Sequence, residues 1–120
     1  MKQIRESIRH GFECFPLSLM KSHNYFVYII TNPNKTVLYI GVTNDLIVRL
    51  DQHFENRGNK RTFAGKYFCY HLLYWERFQY VDHAIEREKE LKTWSRVKKE
   101  KLIDTINPEW RFLNEEIREA

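Results

Sequence analysis

Cysteine is nearly missing from this chain. Cys14 and Cys69 are the only two among 120 residues, too few for a disulfide scaffold or for a zinc site built from thiolates alone. A reducing, cytoplasmic setting is the expectation. No run approaches the roughly 18 uninterrupted apolar residues that a membrane-spanning helix needs, and the stretch Phe12 to Met20 is broken by Glu13, Pro16 and Ser18. A signal peptide is a poor fit for the same reason. Internal repeats and low-complexity segments are absent too. What remains is 42% hydrophobic and 15% aromatic, enough to fold one small domain around a single core and too much for a disordered chain.

The net charge is +4, from 20 Lys+Arg against 16 Asp+Glu, and the positive charge lies in the middle. Arg49 to His71 carries five bases against two acids, and Ala84 to Ile103 seven against four, whereas Asp104 to Ala120 carries five acids against two bases. A basic centre of this kind suits a surface that meets phosphates, although a solvated Lys-rich helix gives the same count.

Residues 1–24 lack a period of two or 3.6 and are expected to be an N-terminal extension, either disordered or the product of a mis-assigned start, since Met20 could equally begin the chain. Residues 25–120 are expected to form one domain. Tyr25 to Thr31 and Thr36 to Val42 are β-branched and aromatic and flank Asn32-Pro33-Asn34-Lys35, which predicts a β-hairpin. Thr43-Asn44-Asp45 offers caps for a helix with Leu46, Leu50 and Phe54 on its apolar stripe. The polar, basic stretch Asn56 to Lys66 reads as a loop and Tyr67 to Phe78 as a third strand. Asp82 is a predicted N-cap for a helix reaching Ser95. A last helical pattern with Val97, Leu102, Ile103 and Ile106 stops at Asn107-Pro108. The order is strand, strand, helix, strand, helix, helix, an α+β arrangement.

Three features sit in unexpected chemical places. Glu88 shares the buried face of its helix with Ala84 and Leu91 and needs a cation there, either a divalent metal or an arginine such as Arg49 or Arg87. Arg49 and His53 stand one turn apart, as a phosphate clamp or as a solvent-facing pair. Tyr28 and Tyr39 occupy the two hairpin strands, where packing alone would explain them.

Taken together, Val27-Tyr28-Ile29, Tyr39-Ile40-Gly41, Arg49 ten residues after Tyr39, Glu88 within Ala84 to Lys92, and the tail Ser95 to Trp110 resemble the GIY-YIG nuclease superfamily. The likeness covers about Tyr25 to Leu113 and is nearest its small stand-alone bacterial branch, which is similar to the N-terminal domain of excinuclease C. The resemblance implies a three-stranded antiparallel sheet flanked by helices (β-β-α-β-α-α) and metal-dependent endonuclease hydrolysis of DNA phosphodiesters. It assigns one Mg²⁺ or Mn²⁺ to Glu88 and stabilisation of the phosphorane to Arg49. Tyr28 becomes the base or water-positioner, needing cations to lower its pKa. Tyr39 orients it, and His53 relays a proton or touches the phosphate. Two departures stand out. Val42 occupies a place where some members carry lysine, and the last helix lacks their asparagine unless Asn107 serves.

For substrate contact the candidates are Arg57, Lys60, Arg61 and Lys66, with Tyr67 or Trp75 available to stack on a base or to fill the core. With no obvious recognition helix, structure-selective cutting is expected rather than sequence-specific cutting. The expected partner is DNA, with RNA open, no membrane, and a monomer favoured. The competing readings are a nucleic-acid-binding module that keeps the scaffold but cleaves little or not at all, and a structural domain in which Glu88 pairs with Arg49.

Overall fold

The computed structural model describes residues 23–119, so the expected N-terminal extension lies almost wholly outside the described residues. A three-stranded antiparallel sheet has β1 (Tyr25–Thr31) at its centre, between β2 (Leu38–Thr43) and β3 (His71–Phe78). Helices cover both faces: α1 (Leu46–Glu55) and α2 (Phe63–Lys66) on one, α3 (Val81–Thr93) and α4 (Arg96–Ile106) on the other, with α5 (Asn114–Glu119) against α1. The expected β-β-α-β-α-α order is present, with two short helices added.

Burial on both faces explains why β1 reads as an almost unbroken apolar run. Val27 and Ile29 pack with Ile40, Val42 and Leu73 against Ala84, Leu91 and Ile103 of α3 and α4. Tyr28, Ile30 and Leu72 pack on the opposite face against Leu46 and Leu50 of α1, Ala64 of α2 and Leu113. A bulge between Ile29 and Ile30 shifts the pairing with β3, from Ile29 opposite Tyr74 to Ile30 opposite Leu72.

The boundaries move for identifiable reasons. β2 starts at Leu38 instead of Thr36 because Asn32 Oδ1 accepts from the backbone N–H of Thr36 (2.8 Å) and Val37 (3.0 Å), which removes both from the ladder. β3 starts at His71 instead of Tyr67, since the N–H groups of Tyr67, Phe68 and Cys69 turn back to close α2. The basic stretch read as a loop contains α2, capped by Thr62. Asp82 is not the N-cap of α3: Tyr80 holds that place in extended conformation, and Asp82 lies in the first turn, where the helix dipole favours its charge. Ser95 caps α4 by accepting from Lys98 N–H, so α3 ends before it. In α1 the buried stripe is Leu46, Leu50 and His53, and Phe54 is 47% exposed. Seven residues return a helix to within about 20° of the starting face, whereas eight overshoot by about 80°.

Candidate functional site

The site forms where β1, β2 and α1 meet. Tyr28 on β1 stands opposite Gly41 on β2, and its ring lies directly over that glycine. A Cβ at position 41 would fall 2.4 Å from Tyr28 Oη and 2.5 Å from its Cζ. The glycine of the second signature half is therefore required by the tyrosine of the first. The hydroxyl of Tyr28 meets Nε2 of His53 at 2.8 Å. Tyr39 closes the group, its ring 5.4 Å from His53 and 6.5 Å from Tyr28, both between centroids. Tyr28 and His53 are buried, while Tyr39 and Arg49 are half-buried and open to solvent.

Burial sets the protonation states. It pushes the Tyr28 phenol well above its ordinary value, and the Arg49 charge beside it, which acts the other way, does not overcome that. The expected cation-lowered tyrosine is thus opposed by desolvation. His53 is driven down to about 4, first by burial and then by Arg49, so its imidazole is neutral at pH 7. The Arg49 guanidinium lies beside Tyr28, and its own side-chain hydrogen bond goes to Gln52 Oε1 at 2.9 Å.

Glu88 is 2% exposed on α3, and its charge reaches Tyr28 as well. It does not form the structural ion pair with Arg87, which binds Glu76 and Glu90 instead, and none forms with Arg49. Its neighbour is Lys92, one turn on, whose Nζ stands 2.7 Å from Oε2. That contact has ion-pair distance without hydrogen-bond alignment, so Oε2 remains a buried oxygen without a donor. The carboxylate charge is thus met by an ammonium while one oxygen lacks an aligned donor, so a divalent cation that keeps most of its waters would bind Glu88 only in competition with Lys92. Among the described residues no three His, Cys, Asp or Glu side chains gather into a metal cage.

Asn107 lies elsewhere. Its Nδ2 donates to Leu73 O (3.0 Å) and Arg111 O (2.9 Å), and its Oδ1 accepts from Arg111 N–H, so it splices the chain after α4 onto β3. Arg57, Lys60, Arg61 and Lys66 are exposed around α2, and among the described residues none has a carboxylate within ion-pair distance. Tyr67 in the same region and Trp75 on β3 are both exposed, at 40% and 37%, and Trp75 also meets Phe26 edge-on. Sequence reasoning missed Lys92, although its spacing of four from Glu88 is a legible signal. It also missed Phe63, whose ring lies beside Tyr39 at 6.3 Å and which no local pattern marks.

Residues 24–101 match the family model described as the GIY-YIG catalytic domain. A UPF0213 protein of Bacillus pumilus (strain SAFR-032) is 36% identical over 90 residues, spanning 75% of this chain and 89% of the relative. One from Staphylococcus aureus (strain Mu3 / ATCC 700698) is 37% identical over 84 residues, 70% of this chain and 96% of the relative. The solution NMR structure of the UPF0213 protein BH0048 from Bacillus halodurans is 31% identical, covers 70% of this chain and 86% of its own, and superposes with a TM-score of 0.45. These similarities reach the GIY-YIG domain and the UPF0213 proteins, and not specifically an excinuclease-C-like branch. No helix among the described residues is long and apolar enough to cross a membrane.

Proposed function

The chain belongs to the GIY-YIG family and is related to the UPF0213 proteins; from this nucleic-acid-binding scaffold we propose that it binds DNA across the face of Tyr39 and Arg49 and cuts a phosphodiester there. The observation that carries the cleavage step is the convergence of Tyr28, Tyr39, His53 and Arg49 on one face; Glu88 stands on α3, the helix that covers the other face of the sheet, and only its charge is felt at Tyr28.

Glu88 would hold one Mg²⁺ or Mn²⁺, which when bound supplies Lewis-acid stabilisation of the phosphate and a more acidic water. Arg49, open to solvent, neutralises charge that builds on the phosphorus oxygens. Burial suggests a division of labour between the tyrosines. Tyr28, 1% exposed, keeps its proton and gives it in a hydrogen bond to neutral His53 in the Nδ1–H tautomer, which makes the two positioning residues. Tyr39, on the solvent side of that pair, orients the attacking water, whose proton passes to bulk solvent as its oxygen bonds to phosphorus, while the displaced sugar oxygen leaves with its bonding pair and takes a proton from solvent. The four cations around α2, none of them paired with a carboxylate among the described residues although Arg57 lies over the Phe54 ring, hold the flanking phosphates.

A second reading, binding with little or no cleavage, is favoured by the Lys92 ammonium 2.7 Å from Glu88 Oε2, a cation already at the carboxylate. Family membership supports the binding half of the proposal more directly than the cutting half.

The test is nicking of supercoiled plasmid and cleavage of labelled single-stranded, flap and duplex DNA with Mg²⁺, Mn²⁺ or EDTA, for the intact chain, Glu88→Ala and Arg49→Ala. Binding is measured in EDTA and folding by circular dichroism. Metal-dependent cutting that both folded variants lose is the expected result. Binding by the intact chain without cutting on any substrate or metal selects the second reading, and an absence of binding refutes both.

A further inference from the structure

The stretch around α2 displays its aromatic side chains instead of burying them. Phe63 is 53% exposed and Tyr67 is 40% exposed. Their ring centroids are 4.9 Å apart, and Phe63 lies at a shallow 25° to Tyr39, so three rings lead outward from the candidate site. Lys66 Nζ stands 5.3 Å from the Tyr67 ring at the far end. Exposed aromatics usually lose free energy to water, and among the described residues nothing covers them.

The backbone beneath them is held firmly. Thr62 Oγ1 accepts from Gly65 N–H (3.0 Å), Gly58 N–H donates to Gly65 O (2.8 Å), and Asn59 Oδ1 accepts from Arg61 N–H (2.9 Å). Gly65 is packed so closely that a Cβ there would lie 2.5 Å from Asn59 O and 2.7 Å from Asn56 O. Phe68, just beyond, is kept at φ +59°, a costly conformation for a bulky residue. The rings are thus presented on a pre-organised support, which lowers the entropic cost of binding.

We propose that Phe63 and Tyr67 form a stacking platform for an unpaired stretch of nucleic acid, with Arg57, Lys60, Arg61 and Lys66 taking its phosphates. The occupant follows from the chemistry of the patch. Four cations without carboxylate partners among the described residues call for a polyanion, and half-exposed aromatic rings call for accessible π-faces. A single strand offers both, whereas a duplex keeps its base faces stacked inward. The platform rests on the proposed function and deepens it: the strand held here would lead from Tyr67 past Phe63 to Tyr39, which makes unpaired strands the preferred substrate class.

The test is fluorescence anisotropy in EDTA with labelled oligo(dT) and with a blunt duplex, for the intact chain, Phe63→Ala, Tyr67→Ala and Phe63→Trp. The alanine variants remove exposed atoms, and their melting curves confirm folding. The single strand should bind more tightly than the duplex. Phe63→Ala should weaken single-strand binding by about 5- to 150-fold, the range for losing one base–aromatic stack, leave the salt dependence unchanged, and be rescued by Phe63→Trp. Single-strand affinity unchanged in both alanine variants, or a duplex bound as tightly as the single strand, overturns the platform and leaves the proposed function standing. Failure of the intact chain to bind either probe overturns both.

Discussion

Acidification should destabilise this protein through His53. The imidazole is 5% exposed, packed between Tyr28 and Tyr39 with Arg49 nearby, and its pKa falls from the ordinary 6.5 to about 4. Between those values the unfolded chain binds a proton that the folded chain refuses. Stability is therefore complete above about pH 6.5 and declines as the pH drops towards 4. At about 1.4 kcal/mol per pKa unit, the gap corresponds to an upper limit of about 3.5 kcal/mol, reduced by salt because Arg49 is half open to solvent. A domain of this size has a total of about 5–15 kcal/mol, so the loss is a large fraction. The assay is urea denaturation at about pH 7.5 and about pH 4.5 for the intact chain and His53→Gln, whose amide can still meet the Tyr28 hydroxyl. Carboxylates, and His71, whose pKa burial also lowers, titrate in both proteins and cancel in the difference. The intact chain should lose about 2–3 kcal/mol more than the variant across that interval. Equal losses, or an NMR titration placing the His53 ring near pH 6.5, would refute the argument.

Gly41→Ala should lower the denaturant midpoint by the equivalent of about 1–3 kcal/mol, because its Cβ would fall on the ring of a tyrosine that is 1% exposed; an unchanged midpoint would mean that the ring moves aside freely. If Glu88 holds Mn²⁺ as proposed, Lys92→Gln should tighten that binding, since the ammonium 2.7 Å from its carboxylate no longer competes for it. Paramagnetic resonance of free Mn²⁺ reads this directly, and an unchanged affinity would show that the ammonium does not oppose the metal.

The strands and the order of elements were legible because a sheet covered on both faces writes a long β-branched and aromatic run into its central strand, as Tyr25 to Thr31 does. Caps with local side-chain chemistry, such as Asp45 accepting from Val48 N–H, were legible for the same reason. What misled was equally local. Phe54 is more apolar than His53, yet two helical turns from Leu46 bring His53 and not Phe54 back to the core face, where it meets the Tyr28 hydroxyl. Asn32 diverts Thr36 and Val37 from the ladder through its own amide oxygen, a bond that residue type permits but does not announce. Neither α2, only four residues long, nor α5, six residues long, carries a full apolar period.

The sequence by itself determined the family, the central strand, the basic middle of the chain and a list of candidate residues, since each is a matter of residue type and spacing along one element. The tertiary structure decided what surrounds those residues. Only the packing of α1 onto β1 makes His53 neutral and keeps the proton on Tyr28. Only the register of β1 against β2 sets Tyr28 over Gly41, and only the placement of α3 leaves an oxygen of Glu88 without a donor beside Lys92. Protonation and orphaned polarity depend on what surrounds a group in three dimensions, where desolvation outweighs the neighbouring charge, and no spacing along the chain records that balance.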